Sequence, residues 1–202
     1  MLLTPDPHGA LQAPSPWIVR WSHLVPPAGA VLDVACGAGR HMRWFADRGH
    51  PATGVDRSGD AVQAASRHGR VLQADIEDGP WPFDGQHFAA VVVTNYLWRP
   101  RLPDIVAAVA PGGVLLYETF AAGNETVGRP ARPEFLLRRG ELLSLAAGLE
   151  VVAYEDGFLD QPERFAQRIV ARRARAGEAP RRLRLEPGAP SAGSAGSLES
   201  RG

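Results

Sequence analysis

Val31-Leu32-Asp33-Val34-Ala35-Cys36-Gly37-Ala38-Gly39-Arg40 is the stretch whose reading decides the fold of this chain. An apolar, β-branched run passes into small residues and glycines, and Met42, Phe45 and Ala46 follow at helical spacing. That pattern is a buried strand, a tight glycine turn and a helix. Such a turn leaves backbone N–H groups unpaired at the helix start, where an anionic or strongly polar ligand can be received. A dinucleotide fingerprint would need a third glycine three residues after Gly39, and Met42 stands there. Asp33 precedes the loop, where a carboxylate repels a pyrophosphate and suits a cationic amino group. The ligand that fits carries both an α-amino acid and a ribose. The alternative is a strand-turn-helix whose glycines serve tight packing alone.

Outward from this loop, the chain of 202 residues is long enough for one sizeable domain. Its 22 basic and 22 acidic side chains leave no global field to favour nucleic acid or a membrane. Every basic residue is arginine, which excludes a Schiff-base lysine and a P-loop lysine. Cys36 is the single cysteine, so no intramolecular disulfide framework is expected and a reducing compartment is. The opening MLLTPDPHGA does not read as a signal peptide, and no apolar run has the length of a membrane span. The expectation is a soluble, cytoplasmic protein.

Residues 1–14 are punctuated by proline and read as irregular. Ser15 offers an N-cap with Pro16 at the first helical position, and Trp17, Ile18 and Trp21 share one face. This helix is expected over the glycine loop, its indoles either walling the ligand pocket or anchoring the helix on the core. The helix after the loop should end at Gly49. Ala52 to Asp56 is a short strand, and a helix capped by Ser58 runs to Gly69. Asp56, seventeen residues beyond Gly39 with Arg57 beside it, is placed to hold ribose hydroxyls, or else forms the turn before Ser58.

Val71 to Ala74 is the third strand, and Glu77 to Phe83 an acidic, proline-broken connection that reads as a solvated turn, not a metal site. Phe88 to Thr94 is a continuous apolar run of the kind buried on both faces of a parallel sheet. Its tip, Asn95-Tyr96-Leu97-Trp98-Arg99-Pro100, lies where doubly wound folds place functional groups. Leu102 to Ala110 is a helix stopped by Pro111-Gly112-Gly113, and Val114 to Thr119 a fifth strand. Residues 121–135 have no periodicity, and their polar Asn124, Glu125 and Arg129 suggest an ordered lid. A short helix around Glu141 to Ala147 leads to strands at Glu150–Glu155 and Phe165–Arg173, joined as an antiparallel hairpin. From Ala174 to 202, arginine, proline, glycine and serine dominate and a disordered tail is expected.

Asp33, Ala35, Gly37 and Gly39 resemble the DxGxGxG first motif of class I S-adenosylmethionine-dependent methyltransferases, with alanine at the first glycine. The resemblance covers residues 15–173. It implies an α/β fold, a Rossmann-like doubly wound sheet of seven strands in order 3-2-1-4-5-7-6 with strand 7 antiparallel. It implies S-adenosylmethionine as cofactor, held by Asp33, Ala35, Gly37, Gly39, Asp56, Arg57 and Asn95. Asp75 would accept the adenine amino group, and the Ile76 N–H would meet a ring nitrogen. The stretch YETFAAGNETVGRP, with EFLL after it, is similar to the tellurite-resistance-methyltransferase-like subgroup.

Methyl transfer from a sulfonium is an in-line displacement, so the protein mainly aligns nucleophile and methyl and excludes water. No triad or metal cluster is demanded, and the six histidines show no ligand spacing. The catalytic candidates are Asn95, Tyr96, Arg99 and Glu118. A small-molecule acceptor is the leading reading. An RNA or ribosomal-protein methyltransferase is the second, motivated by Arg172, Arg173, Arg175, Arg181, Arg182 and Arg184. A cofactor-binding protein without catalysis is the third.

Overall fold

The structure, a computed structural model, describes residues 13–187. Seven strands form one sheet in the order β3-β2-β1-β4-β5-β7-β6. They are β1 (Val31–Val34), β2 (Ala52–Asp56), β3 (Arg70–Gln73), β4 (Phe88–Thr94), β5 (Val109–Phe120), β6 (Glu150–Asp160) and β7 (Glu163–Arg172). β1 pairs in parallel with β2 and β4, β2 with β3 and β4 with β5, whereas β7 runs antiparallel to β5 and β6. The sheet expected from the sequence is thus the sheet observed.

Alternation along the strands divides the core in two. Leu32, Val34, Val91, Val93, Leu115 and Tyr117 point to one face, where α4 (Leu102–Ala107) and α5 (Glu141–Leu145) contribute Ile105 and Leu142. Val31, Val92, Leu116 and Val170 point to the other, under Trp17, Ile18 and Trp21 of α1 (Pro16–Trp21) and Phe45 of α2 (Arg40–Ala46). A side-chain period of two on a sheet covered on both faces produces this division. Ala65 of α3 (Gly59–Ala65) packs beside Met42 and Cys36 near the β3 edge.

Ser15 caps α1 as its sequence suggests, its hydroxyl accepting the Trp17 N–H at 3.1 Å. Both indoles anchor the core: Trp17 and Trp21 meet edge to face at 5.7 Å and are almost fully buried. Several helices are shorter than their apolar spacing suggests. α2 ends at Ala46, α3 gives way to a 3-10 turn over Ser66–His68, and α4 ends at Ala107. Pro111-Gly112-Gly113 is not a turn between helix and strand but belongs to β5, which starts at Val109 and shifts register against β4 between Phe88 and Ala90. Gly113 permits this, since a Cβ there would lie 2.9 Å from the carbonyl oxygens of Phe88 and Ala89. The closing hairpin is longer than its apolar residues indicate, because β6 and β7 pair out to Asp160 and Glu163 through mostly polar positions.

Residues 121–137 form a loop closed by an isolated bridge between Ala121 and Leu137. Buried Asn124 staples it, donating to the Pro130 carbonyl and accepting the Phe165 N–H. Residues 174–187 carry no helix or strand, and Glu178 pairs with Arg172. Residues 1–12 and 188–202, the rest of the expected irregular segment and tail, lie outside the described residues. Among the described residues no helix is long and apolar enough to cross a membrane.

Candidate functional site

The glycine loop leaves β1 in a run of left-handed residues: Ala35 at φ 53°, Gly37 at 53° and Gly39 at 80°. Ala35 adopts this conformation with a side chain, at a cost of about 1–2 kcal/mol. At Gly39 a Cβ would also come within 2.8 Å of Ala65 Cβ, so glycine lets α2 approach α3. The loop is tied to β2 twice, by the Cys36 N–H on the Val55 carbonyl at 3.0 Å and by the Gly37 N–H on Asp56 Oδ2 at 2.9 Å. Burial pushes the Cys36 thiol well above its ordinary range, so it stays a neutral packing group.

Beyond the carboxyl ends of β1, β2 and β3 lies a cleft of about 140 Å³ lined by Ala35, Asp56, Arg57, Asp75, Ile76 and Tyr96, among others. Five of these are residues the sequence singles out for a cofactor, and Tyr96, a catalytic candidate, forms part of the wall. Asp56 Oδ1 also accepts the Ser58 N–H at 2.9 Å, the contact of the turn reading, and the same residue lines the cleft. Asp75 Oδ1 accepts the Glu77 N–H at 2.9 Å. The Tyr96 hydroxyl is buried without a hydrogen-bond partner, and burial with the nearby Glu77 and Asp75 carboxylates pushes its ionisation up. It therefore remains a phenol able to donate.

Asp33 is buried beneath the loop, with its Oδ2 lacking a hydrogen-bond partner. Burial pushes its carboxyl up to about 7, against the lowering influence of Arg40 and the Met42 N–H. A cationic amino group is what such an orphaned carboxylate lacks. The His41 ring stands beside it, Nδ1 at 3.9 Å from Asp33 Oδ2. Because His41 Nε2 accepts the Ser15 N–H at 3.1 Å, the ring proton is on Nδ1. Burial holds the ionisation of His41 down at about 3, so the ring is neutral.

At the ends of β4 and β5 a second polar group assembles. Asn95, at φ 55°, donates its backbone N–H to the Glu118 carbonyl, and its side chain is exposed. Arg164 donates to Asn95 Oδ1 at 3.3 Å and to Glu118 Oε1 at 3.0 Å. Glu118 is 1% exposed and also takes the Ser15 hydroxyl proton at 3.0 Å and faces Arg168 at 3.5 Å. These bonds make Glu118 a buried anchor at the ends of β4 and β5. The Arg99 guanidinium grips both oxygens of Glu141 and the carbonyls of Glu134 and Leu136, which fastens the loop 121–137. Beneath that loop lies a cleft of about 400 Å³ lined in part by Arg99, Ala122, Pro133 and Leu137. Sequence reasoning did not single out Arg164, whose neighbours in the chain are polar strand residues with no motif around them.

Residues 31–113 match the family model described as a methyltransferase domain. The chain is 32% identical over 107 residues to a malonyl-[acyl-carrier protein] O-methyltransferase of Serratia marcescens, covering 48% of this chain and 41% of that protein. It is 31% identical over 128 residues to a ribosomal RNA small subunit methyltransferase C of Alcanivorax borkumensis, covering 54% and 38%. The match thus spans less than half the length of these relatives. Among solved structures, a TehB-like SAM-dependent methyltransferase from Corynebacterium glutamicum superposes with a TM-score of 0.56 at 20% identity, over 75% of this chain and 84% of that one. Residues 31–113 are thus similar in sequence to a methyltransferase domain, and the chain shares its fold with a solved methyltransferase structure over three quarters of its length.

Proposed function

We propose that this protein transfers a methyl group from S-adenosylmethionine to a small-molecule acceptor. The observation that supports the reading is the cleft over β1, β2 and β3, lined by the carboxylates of Asp56, Asp75 and Glu77, the Tyr96 phenol and apolar walls. In this reading Asp56 and Arg57 hold the ribose end, and Asp75 and the Ile76 N–H meet the adenine edge. Asp33, with Ala35, Gly37 and Gly39 above it, receives the ammonium. The cofactor, when bound, supplies an electrophilic methyl on a sulfonium. The protein's share is to align the acceptor over β4 and keep water out, with the loop 121–137 as cover.

A small acceptor is favoured by where the basic residues lie. Arg172, Arg175, Arg181, Arg182 and Arg184 line a groove with His23 and Gly112, at the start of β5 and the end of β7. That is the opposite end of the sheet from the cofactor cleft, so RNA held there would not present a base to the methyl. The ribosomal RNA relative keeps the RNA reading in play as the alternative to be tested.

Calorimetry should show binding of S-adenosylhomocysteine and none of NAD, and tighter binding of NAD would overturn the cofactor reading. RNA affinity at physiological salt should be negligible. An affinity that falls steeply with salt and accompanies methylation of RNA would replace the small acceptor. Turnover of no acceptor, small or RNA, by a protein that binds the cofactor would leave a binding protein without catalysis.

A further inference from the structure

The turn after β4 carries Tyr96 into the wall of the cleft over β1, β2 and β3. Asn95 stands at φ 55° and ties its N–H to the Glu118 carbonyl at 3.0 Å, while the Tyr96 carbonyl accepts the hydroxyl of buried Tyr117 at 2.8 Å. The Tyr96 ring packs against the apolar core, so backbone and ring are both fixed. The hydroxyl at the end of that ring is buried and makes no hydrogen bond. A polar atom buried without a partner costs stability, and native folds keep few of them.

The facing wall is as firmly built. Arg101 donates its Nε–H to the Ile76 carbonyl at 2.6 Å and reaches the Gly79 carbonyl, with its charge paired to Asp104 at 2.9 Å. Asp75 Oδ1 takes the N–H groups of Glu77 and Asp78 at 2.9 and 3.4 Å. The segment 75–79 is thereby clamped, and the Glu77 and Asp75 carboxylates stand within electrostatic reach of the Tyr96 phenol without bonding to it. A phenol beside two carboxylates stays protonated, so what the hydroxyl offers is a donor. Val55, Ala74 and Ile76 add apolar surface to the same cleft, which suits the faces of a planar ring.

Resting on the proposed cofactor reading, we propose that Tyr96 is an adenine-selecting residue whose orphaned hydroxyl is reserved for N7 of the base. Two ring nitrogens border the exocyclic amino group of adenine, N1 and N7, and both are acceptors; N3 lies on the opposite side. In that reading Asp75 takes the amino group and the Ile76 N–H takes one bordering nitrogen. The Tyr96 hydroxyl stands beside the carboxylate that receives the amino group, so the nitrogen left for it is N7 and not N3. A base with C–H at that position would leave the hydroxyl buried and unpaired, as it is in the free protein.

The test uses the full chain and calorimetry with S-adenosylhomocysteine and its 7-deaza and 3-deaza analogues, beside thermal melts without ligand. Wild type should bind the 7-deaza analogue about tenfold more weakly than S-adenosylhomocysteine. Tyr96→Phe should bind S-adenosylhomocysteine about tenfold more weakly than wild type does, and should bind the 7-deaza analogue within about twofold of S-adenosylhomocysteine. The 3-deaza analogue should lose the same factor in both proteins. Without ligand, Tyr96→Phe should melt about 2–4 °C above wild type, because the variant removes an orphaned polar atom. A hydroxyl that served the fold would lower stability and affinity together. Failure of wild type to bind S-adenosylhomocysteine would strike the cofactor reading and this proposal with it. Where wild type binds, unchanged affinity in Tyr96→Phe, a 7-deaza penalty that survives in that variant, a wild type indifferent to 7-deaza, or a lower melting temperature would each overturn this proposal alone. The analogues act on the unaltered protein, so they decide the matter even if the variant fails to fold.

Discussion

The Gly37 N–H donates to Asp56 Oδ2 across 2.9 Å, joining the glycine loop after β1 to the end of β2. One carboxylate therefore shapes the loop and faces the cleft that the loop borders. Asp56→Ala removes the partner of two backbone N–H groups, Gly37 and Ser58. Affinity for S-adenosylhomocysteine should fall more than about tenfold, and stability should fall by about 1–3 kcal/mol. Calorimetry and denaturant melts read the two separately. Unchanged affinity in a destabilised variant would show that the carboxylate serves the loop alone.

In the proposed function Asp33 receives the cofactor's ammonium, which makes cofactor binding depend on pH. Its folded carboxyl titrates at about 7, above the ordinary 3.8. A raised carboxyl gives the native state stability that is present in full below about pH 4 and is lost as pH rises through 7. Asp33→Asn should therefore be more stable than wild type at pH 8, by about 2–4 kcal/mol, and little different at pH 4. The wild-type affinity for S-adenosylhomocysteine should rise from pH 5 to 8 as the carboxylate forms, and the variant's should be weak and flat. A variant less stable than wild type at pH 8 would mean that the charge is compensated within the fold.

Ala35 occupies a left-handed conformation at φ 53° in the wall of the cleft. Ala35→Gly relieves about 1–2 kcal/mol of backbone strain but adds about 0.4–1 kcal/mol of unfolded-state freedom. The net expectation is stabilisation of up to about 1 kcal/mol with the cofactor affinity retained. Ala35→Val, β-branched at positive φ, should lose both stability and affinity. Denaturant midpoints and calorimetry on the pair check this, and a tolerated valine would place the cofactor away from this wall.

The cofactor half was legible because its signals are local. The glycine loop, the acidic strand ends and the apolar runs each lie within a few residues, and the pairing of β1 with β2 and β4 follows from them. The partners of Glu118 and Arg99 were not legible because they are remote: Ser15 stands 103 positions from Glu118, and Glu141 stands 42 from Arg99. Nothing in the chain near Arg164 marks it, since its meaning comes from Asn95, 69 positions away. Short helix ends were misjudged for another reason: apolar spacing continued past the point where the backbone turned, as at Ala107.

Arg99 gives the last prediction. Its guanidinium makes four bonds, two to Glu141 at 2.7 and 2.9 Å and one each to the carbonyls of Glu134 and Leu136 at 2.8 Å. Glu141 also takes the Arg138 N–H at 2.7 Å, so the pair closes both ends of the segment 134–141. Lysine cannot reproduce a planar fork. Arg99→Lys should therefore behave nearly as Arg99→Ala, each losing about 1–3 kcal/mol, because bonds to a charged donor that is mostly buried are given up. Hydrogen exchange should quicken over residues 133–138 while S-adenosylhomocysteine affinity stays within about threefold of wild type, since the cleft over β1 to β3 is untouched. The acceptor KM should rise more than kcat falls, as expected when a cover loosens and the reacting groups stay in place. A kcat loss with unchanged exchange in the loop, rescued by lysine, would return Arg99 to the reacting groups.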